Sequence, residues 1–179
     1  MSDATRRVLL AELVLAAVLL LAGGVGATGA TGATGEELRP ADAVLVVKSE
    51  RRLYLLRGGQ PFRSYRVALG LLPDGQKERE GDRRTPEGHY LLDLRKADSD
   101  FFLAIHVSYP NADDAARAHH RRWKPGGSIM IHGLPSVPKH PVDYYRSADW
   151  TDGCIALANE DMLEVWLLTR PNTPIEIRP

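Results

Sequence analysis

The 179-residue chain has one cysteine, Cys154, which excludes an intrachain disulfide framework and any multi-cysteine zinc site. It has no net charge, with 23 Lys+Arg against 23 Asp+Glu. That balance excludes a generally basic nucleic-acid binder, so no nucleic-acid partner is expected. There is no Gly-x-Ser-x-Gly elbow, no P-loop, no dinucleotide glycine signature and no His-Glu-x-x-His pair. A standard α/β-hydrolase serine, a nucleotide-phosphate cradle and a helical zinc-protease site are therefore not expected. The N-terminal apolar run, Val8 to Ala22, is interrupted by Glu12. As a helix it would rise about 22 Å, short of the roughly 30 Å bilayer core.

The remainder has a globular composition, 44% hydrophobic and 26% charged, and its length suits one domain with a short extension. Arg6 and Arg7 precede the apolar run and Val25-Gly26-Ala27 follows it. This is the layout of a signal peptide cleaved after Ala27, so residues 1–27 are read as an export signal. An uncleaved anchor that borrows Gly23 to Gly26 is the alternative, and no cysteine follows to make a lipoprotein signal. Residues 28–41 continue an Ala-Thr-Gly repeat and are expected to form a flexible linker. Residues 42–179 are then an extracytoplasmic domain, associated with the membrane only through the N-terminal segment.

Short apolar stretches separated by turn residues fill that domain. Strands are expected at Val44–Val47, Leu53–Leu56, Phe62–Leu69, Tyr90–Leu94, Phe101–Val107, Ser128–Ile131, Ile155–Leu157 and Ile175–Ile177. One helix is expected within 111–125, with Asp113 and Asp114 at its start. Another starts at Asn159 as N-cap, carries Met162, Val165 and Trp166 at helical spacing and stops before Pro171. Residues 73–87 read as a long loop, as do 133–151 with Pro135, Pro138 and Pro141. No βαβ rhythm appears, so the fold class is mainly β, a mixed sandwich or barrel-like domain with one or two short helices.

A lone cysteine in an exported chain is buried and inert, pairs between chains, or serves as a nucleophile. Asp152-Gly153-Cys154 follows a loop and precedes a strand. The glycine permits close approach of a carbonyl, and consecutive N–H groups there could form an oxyanion hole. A thiol nucleophile needs a base, and the candidates are His89, His106, His119, His120, His132 and His140. His132 stands out because it ends an apolar strand and precedes Gly133. His119 and His120 lie among arginines and read as a solvated face, and His140 reads as loop surface.

Ile131-His132-Gly133, followed by Thr151-Asp152-Gly153-Cys154-Ile155, resembles the signature of the L,D-transpeptidase (YkuD-type) catalytic domain family. Three further pieces resemble that family: Gly81 to Gly88 with Thr85-Pro86 inside it, Ser108-Tyr109-Pro110-Asn111, and strands ending at Ala68-Leu69-Gly70. The resemblance implies a peptidoglycan enzyme. Its cysteine attacks the carbonyl of the third stem-peptide residue, expels D-alanine and passes the acyl group to an amine. Carried over, Cys154 is the nucleophile, His132 the general base and the Gly133 carbonyl its orienter. Backbone N–H groups of Asp152, Gly153 and Cys154 form the oxyanion hole, and Tyr109, Arg83, Trp150 and Thr151 are candidate substrate contacts. The resemblance implies no metal and no cofactor. The expected partners are stem peptides and, as acceptor, a second stem peptide or a wall-attached lipoprotein. The alternatives are a hydrolase on the same scaffold and a non-catalytic wall-binding module.

The chain departs from the commoner family pattern at Asp152, where His or Arg is usual, and at Ala156, where Asn or Arg is usual. An anion two residues from the thiol should raise its pKa unless it pairs with a cation, for which Arg146 and Arg83 are candidates. A thiolate–imidazolium pair would give a bell-shaped rate profile.

Overall fold

The computed structural model describes residues 39–179, so the expected signal segment and most of the expected linker lie outside the described residues. Eight strands form one sheet: β1 Ala43–Val47, β2 Arg52–Arg57, β3 Gln60–Arg66, β4 Gly88–Ser99, β5 Phe102–Val107, β6 Met130–His132, β7 Ile155–Ala156 and β8 Thr173–Arg178. Their order in space is β3-β2-β1-β8-β4-β5-β6-β7. The β1/β8 and β6/β7 pairs are parallel and the others antiparallel.

The chain leaving β3 then bridges the two ends of the sheet. Ala68 pairs with Ala156, donating at 2.9 Å and accepting at 2.8 Å, and Gly70 bridges to Thr151. The sheet therefore closes on itself, in line with the expected barrel-like mainly-β class. The alternating residues turned inward give a single core: Val44 and Val46, Leu53 and Leu55, Ile105 and Val107, Ile175 and Ile177. This period of two follows from the pleat, and removing such apolar area from water is the main stabilising contribution.

Three helices flank the sheet: α1 Ala112–His120, α2 Val142–Ser147 and α3 Asn159–Leu168. α1 opens with a capping box. The Asn111 side chain accepts from the Asp114 N–H, and Asp114 accepts from the Asn111 N–H. α3 turns Met162, Val165 and Leu168 to the core.

Three expectations need correction. Residues 133–151 contain α2, a six-residue helix whose apolar periodicity is too short to register. β4 runs to Ser99 rather than Leu94, with register irregularities after Leu92 and after Lys96. Its second half, Arg95 to Ser99, is mostly exposed and so lacks the apolar alternation that marks a strand. Finally, the N-cap of α3 is Ala158, and the Asn159 side chain is used elsewhere.

Candidate active site

β6 and β7 lie side by side in parallel register, with Ile131 opposite Ile155 and His132 opposite Ala156. Cys154, just before β7, is therefore a diagonal neighbour of His132 on the same face of the sheet. Both line one cleft of about 710 Å³. Trp150, Thr151 and Asp152 line the same cleft, whereas Tyr109 and Arg83 do not. Tyr109 is buried with its hydroxyl donating to the Pro125 carbonyl at 3.0 Å, and Arg83 is exposed.

His132 is 3% exposed, and its Nδ1–H donates to the Gly133 carbonyl at 2.7 Å. That bond sets the tautomer and leaves Nε2 as the basic nitrogen. Burial drives the imidazole pKa down to about 4, against a smaller upward pull from the Gly133 carbonyl. The ring is held in an aromatic clasp, with Phe101 at 4.5 Å and Trp150 at 5.7 Å between centroids.

Two glycines make the arrangement possible. A Cβ on Gly133 would sit 2.6 Å from Asn159 Oδ1 and 2.9 Å from Phe102 Cβ. The backbone there donates instead to the carbonyls of Phe101 and Leu103 at 3.1 and 3.2 Å. Gly153 has φ +132°, and a Cβ on it would lie 2.6 Å from the Arg84 carbonyl. The turn carrying the thiol thus packs directly on the Thr85-Pro86 loop.

Thr151 clamps that turn. Its hydroxyl donates to the Cys154 carbonyl at 2.8 Å and accepts from the Gly153 N–H at 3.1 Å. Of the three expected oxyanion donors, Gly153 is thus engaged, which leaves the Asp152 and Cys154 N–H groups. The Cys154 Sγ–H points at the Ser128 carbonyl, 3.7 Å away. Burial raises the thiol pKa, and the Asp152 charge raises it further. A Met130 backbone N–H and the Lys77 ammonium pull the other way. Neither expected cation neutralises Asp152. Arg146 pairs with Glu160 at 3.0 Å, and Arg83 is exposed with no ion pair among the described residues.

The 73–87 loop behind this turn is internally braced. Lys48, 3% exposed, donates to the Gly75 and Thr85 carbonyls and to Glu87 Oε1 at 2.7, 3.0 and 2.7 Å. Asp82 accepts from Lys77 and from the N–H groups of Glu78, Arg79 and Arg84. Burial by itself would raise the Asp82 pKa, but the Lys77 ammonium and those N–H groups outweigh it and hold it low.

Sequence reading missed the opposite wall of the cleft. Lys96, Asp98, Asp100 and Phe101 come from the end of the β4–β5 hairpin. Phe102, at φ 57°, turns the hairpin sharply, and Phe101 lands on the His132 imidazole. A bulky residue in that region costs about 1–2 kcal/mol, so the surrounding packing must hold it there. Asn159 was also missed in this role. Its Oδ1 accepts from the Leu134 N–H at 2.8 Å and so secures the strand exit that carries the Gly133 carbonyl. No local signal marks either residue, because each acts across a long separation in sequence.

The L,D-transpeptidase catalytic domain family, YkuD, matches residues 41–177. The chain belongs to this family. YafK of Escherichia coli (strain K12), provisionally named an L,D-transpeptidase, is 28% identical over 150 residues, covering 76% of this chain and 53% of that protein. The chain therefore spans about half the length of the curated relatives it matches. The helical cell shape determining protein Pgp2 from Campylobacter jejuni has a similar structure. It is 27% identical, with a TM-score of 0.57, over 75% of this chain and 46% of that one. An L,D-transpeptidase from Mycobacterium smegmatis, 13% identical with a TM-score of 0.51, shares the fold.

Proposed function

We propose that this L,D-transpeptidase-family enzyme acts on peptidoglycan stem peptides through a thioester on Cys154. The observation that supports it most is the His132 imidazole, tautomer-locked by the Gly133 carbonyl and facing the same cleft as the thiol. His132 Nε2 takes the thiol proton as Sγ attacks the carbonyl of the third stem residue. The Asp152 and Cys154 N–H groups face the oxygen that becomes negative. Collapse of the tetrahedral intermediate breaks the amide bond, and His132 returns the proton to the departing D-alanine nitrogen.

The lining of the cleft bears on the acceptor. Residues 109–127 supply none of it. A cleft left uncovered on that side would favour water as acceptor, and the enzyme would then be an L,D-carboxypeptidase or a hydrolase that releases a wall-bound protein. A second reading is transfer to an amine, forming 3-3 cross-links or attaching a lipoprotein. The lining carboxylates Asp98, Asp100 and Asp152, set against Lys96, suit a cationic acceptor. Because the substrate lies in the wall, we also infer work outside the cytoplasmic membrane. Among the described residues no helix is long and apolar enough to cross a membrane.

The test mixes the full chain with a purified tetrapeptide muropeptide, beside a Cys154→Ala control, and reads intact mass and small products from one tube. Cysteine-dependent tripeptide without dimer supports the hydrolase. Cysteine-dependent dimer supports transfer. The absence of both adduct and product rules out free tetrapeptide as donor.

A further inference from the structure

A second pocket of about 440 Å³ adjoins the catalytic cleft and shares Asp100, Phe101 and Trp150 with it. It is built mainly from rings. Tyr144 and Tyr145 of α2 join Trp150 and Phe101, with His140 at the outer edge. The rings touch in sequence: His140 to Tyr144 at 4.4 Å, Tyr144 to Tyr145 at 5.5 Å, Tyr145 to Trp150 at 5.0 Å and Trp150 to His132 at 5.7 Å. An aromatic wall thus runs from the catalytic imidazole to the pocket's far side.

The pocket is preformed. The Tyr145 hydroxyl accepts from the Lys139 and His140 N–H groups at 2.9 and 3.2 Å, fixing the loop to α2. The Ser136 N–H donates to the Asp100 carbonyl at 2.8 Å, fixing the same loop to the hairpin tip. Yet much of the lining remains open. Val137 is 80% exposed, and Phe101 and Tyr144 are each about 37% exposed. Apolar surface left open on a braced concave wall is characteristic of a ligand site.

We propose that this pocket is a saccharide subsite, taking an amino-sugar ring of the glycan strand that carries the stem peptide. The proposal rests on the stem-peptide reading of Cys154. A pyranose has apolar C–H faces and a polar edge. The ring faces of Tyr144 and Phe101 match the former, while the Asp100 carboxylate and Lys139 ammonium match the hydroxyl and acetamido groups. The reach also fits. Three stem residues between the scissile carbonyl and the sugar span roughly 10 Å when extended. The ring steps of 5.7 and 5.0 Å from His132 through Trp150 to Tyr145 cover a comparable distance, which brings the sugar to the near wall of the pocket.

The experiment has a kinetic arm and a binding arm, both on the full chain. The kinetic arm compares kcat/KM for a bare tetrapeptide with the same tetrapeptide on its disaccharide. The expected advantage of the disaccharide substrate is about tenfold and lies in KM, the worth of a good ring contact. Tyr144→Ala should abolish that advantage while sparing the bare tetrapeptide, and Tyr144→Phe should retain it. Equal rates on the two substrates, or a loss in Tyr144→Ala that hits both alike, would overturn the proposal. The binding arm titrates the peptide-free disaccharide into the Cys154→Ala chain and follows tryptophan fluorescence. Saturable binding that Tyr144→Ala removes supports the subsite even if no peptide is cleaved, a result that would sink only the stem-peptide reading. In the same assay, saturable binding of the bare tetrapeptide but not of the disaccharide, lost in Tyr144→Ala, would make the pocket a peptide site and refute the saccharide assignment.

Discussion

The proposed catalytic pair, Cys154 and His132, is tuned by burial in opposite directions. The thiol is pushed up and the imidazole down to about 4, so the resting pair is neutral. A neutral resting pair would give a different rate profile from the thiolate–imidazolium pair expected from sequence. kcat/KM should rise through about pH 4 as His132 loses its proton and stay level across neutrality. A limb near the ordinary histidine value would show that the imidazole is not desolvated as described. Asp152→Asn should lower the Cys154 pKa, because the anion is one of the forces raising it. Iodoacetamide alkylation rates against pH would measure this, and an unchanged or higher value would remove Asp152 from the account. Asn159→Ala leaves the Leu134 N–H without its acceptor. An unmet buried donor costs about 1–3 kcal/mol. The expected result is a lower Tm together with a fall in kcat, with Asn159→Asp restoring both because it keeps an acceptor oxygen.

Among the elements, the 73–87 loop lacks regular structure yet is held as firmly as a strand. Its brace is Lys48, which directly follows β1 and meets two carbonyls and Glu87. Lys48→Met should therefore strip three contacts at once. Breaking such a buried pair costs about 3–5 kcal/mol. Hydrogen exchange within 73–87 should accelerate far more than in β1, β2 or β8, and uniform acceleration would contradict a local role. The long loop itself was legible from Pro73, Gly75, Gly81 and Pro86. The brace was not, since lysine in a sequence reads as solvated unless its partners are known. The strands with clean alternation, β1, β2 and β8, were equally legible. α2 was not, because six residues with one buried side chain, Tyr145, carry no period.

At the scale of the molecule, closure of the sheet by Ala68 and Ala156 places β7 between β6 and the segment after β3. The cysteine turn is thus held on both sides. The same burial makes stability depend on pH. His132 has a folded pKa of about 4, below its ordinary 6.5, so the unfolded chain binds the extra proton between these values. The associated stability is complete above about pH 6.5 and is lost as pH falls toward 4. Asp82, also held low, adds to this loss on further acidification. Tm should fall on acidification through that window, and His132→Asn should flatten the upper part of the slope. An unchanged slope in the variant would exclude His132 as its source.

The sequence alone determined the mainly-β class, the family signature that carries Cys154 and His132, and the Thr85-Pro86 and Gly153 segments that meet beside them. These are local properties: alternation along a strand, residue type, and a glycine where no Cβ fits. Only the tertiary structure decided that Cys154 and His132 are both desolvated, that the β4–β5 hairpin walls the cleft, and that an aromatic pocket opens beside it. Desolvation and cavity shape depend on every atom packed around a site. Phe101, Tyr144 and Trp150, far apart along the chain, become one wall only when the sheet has closed.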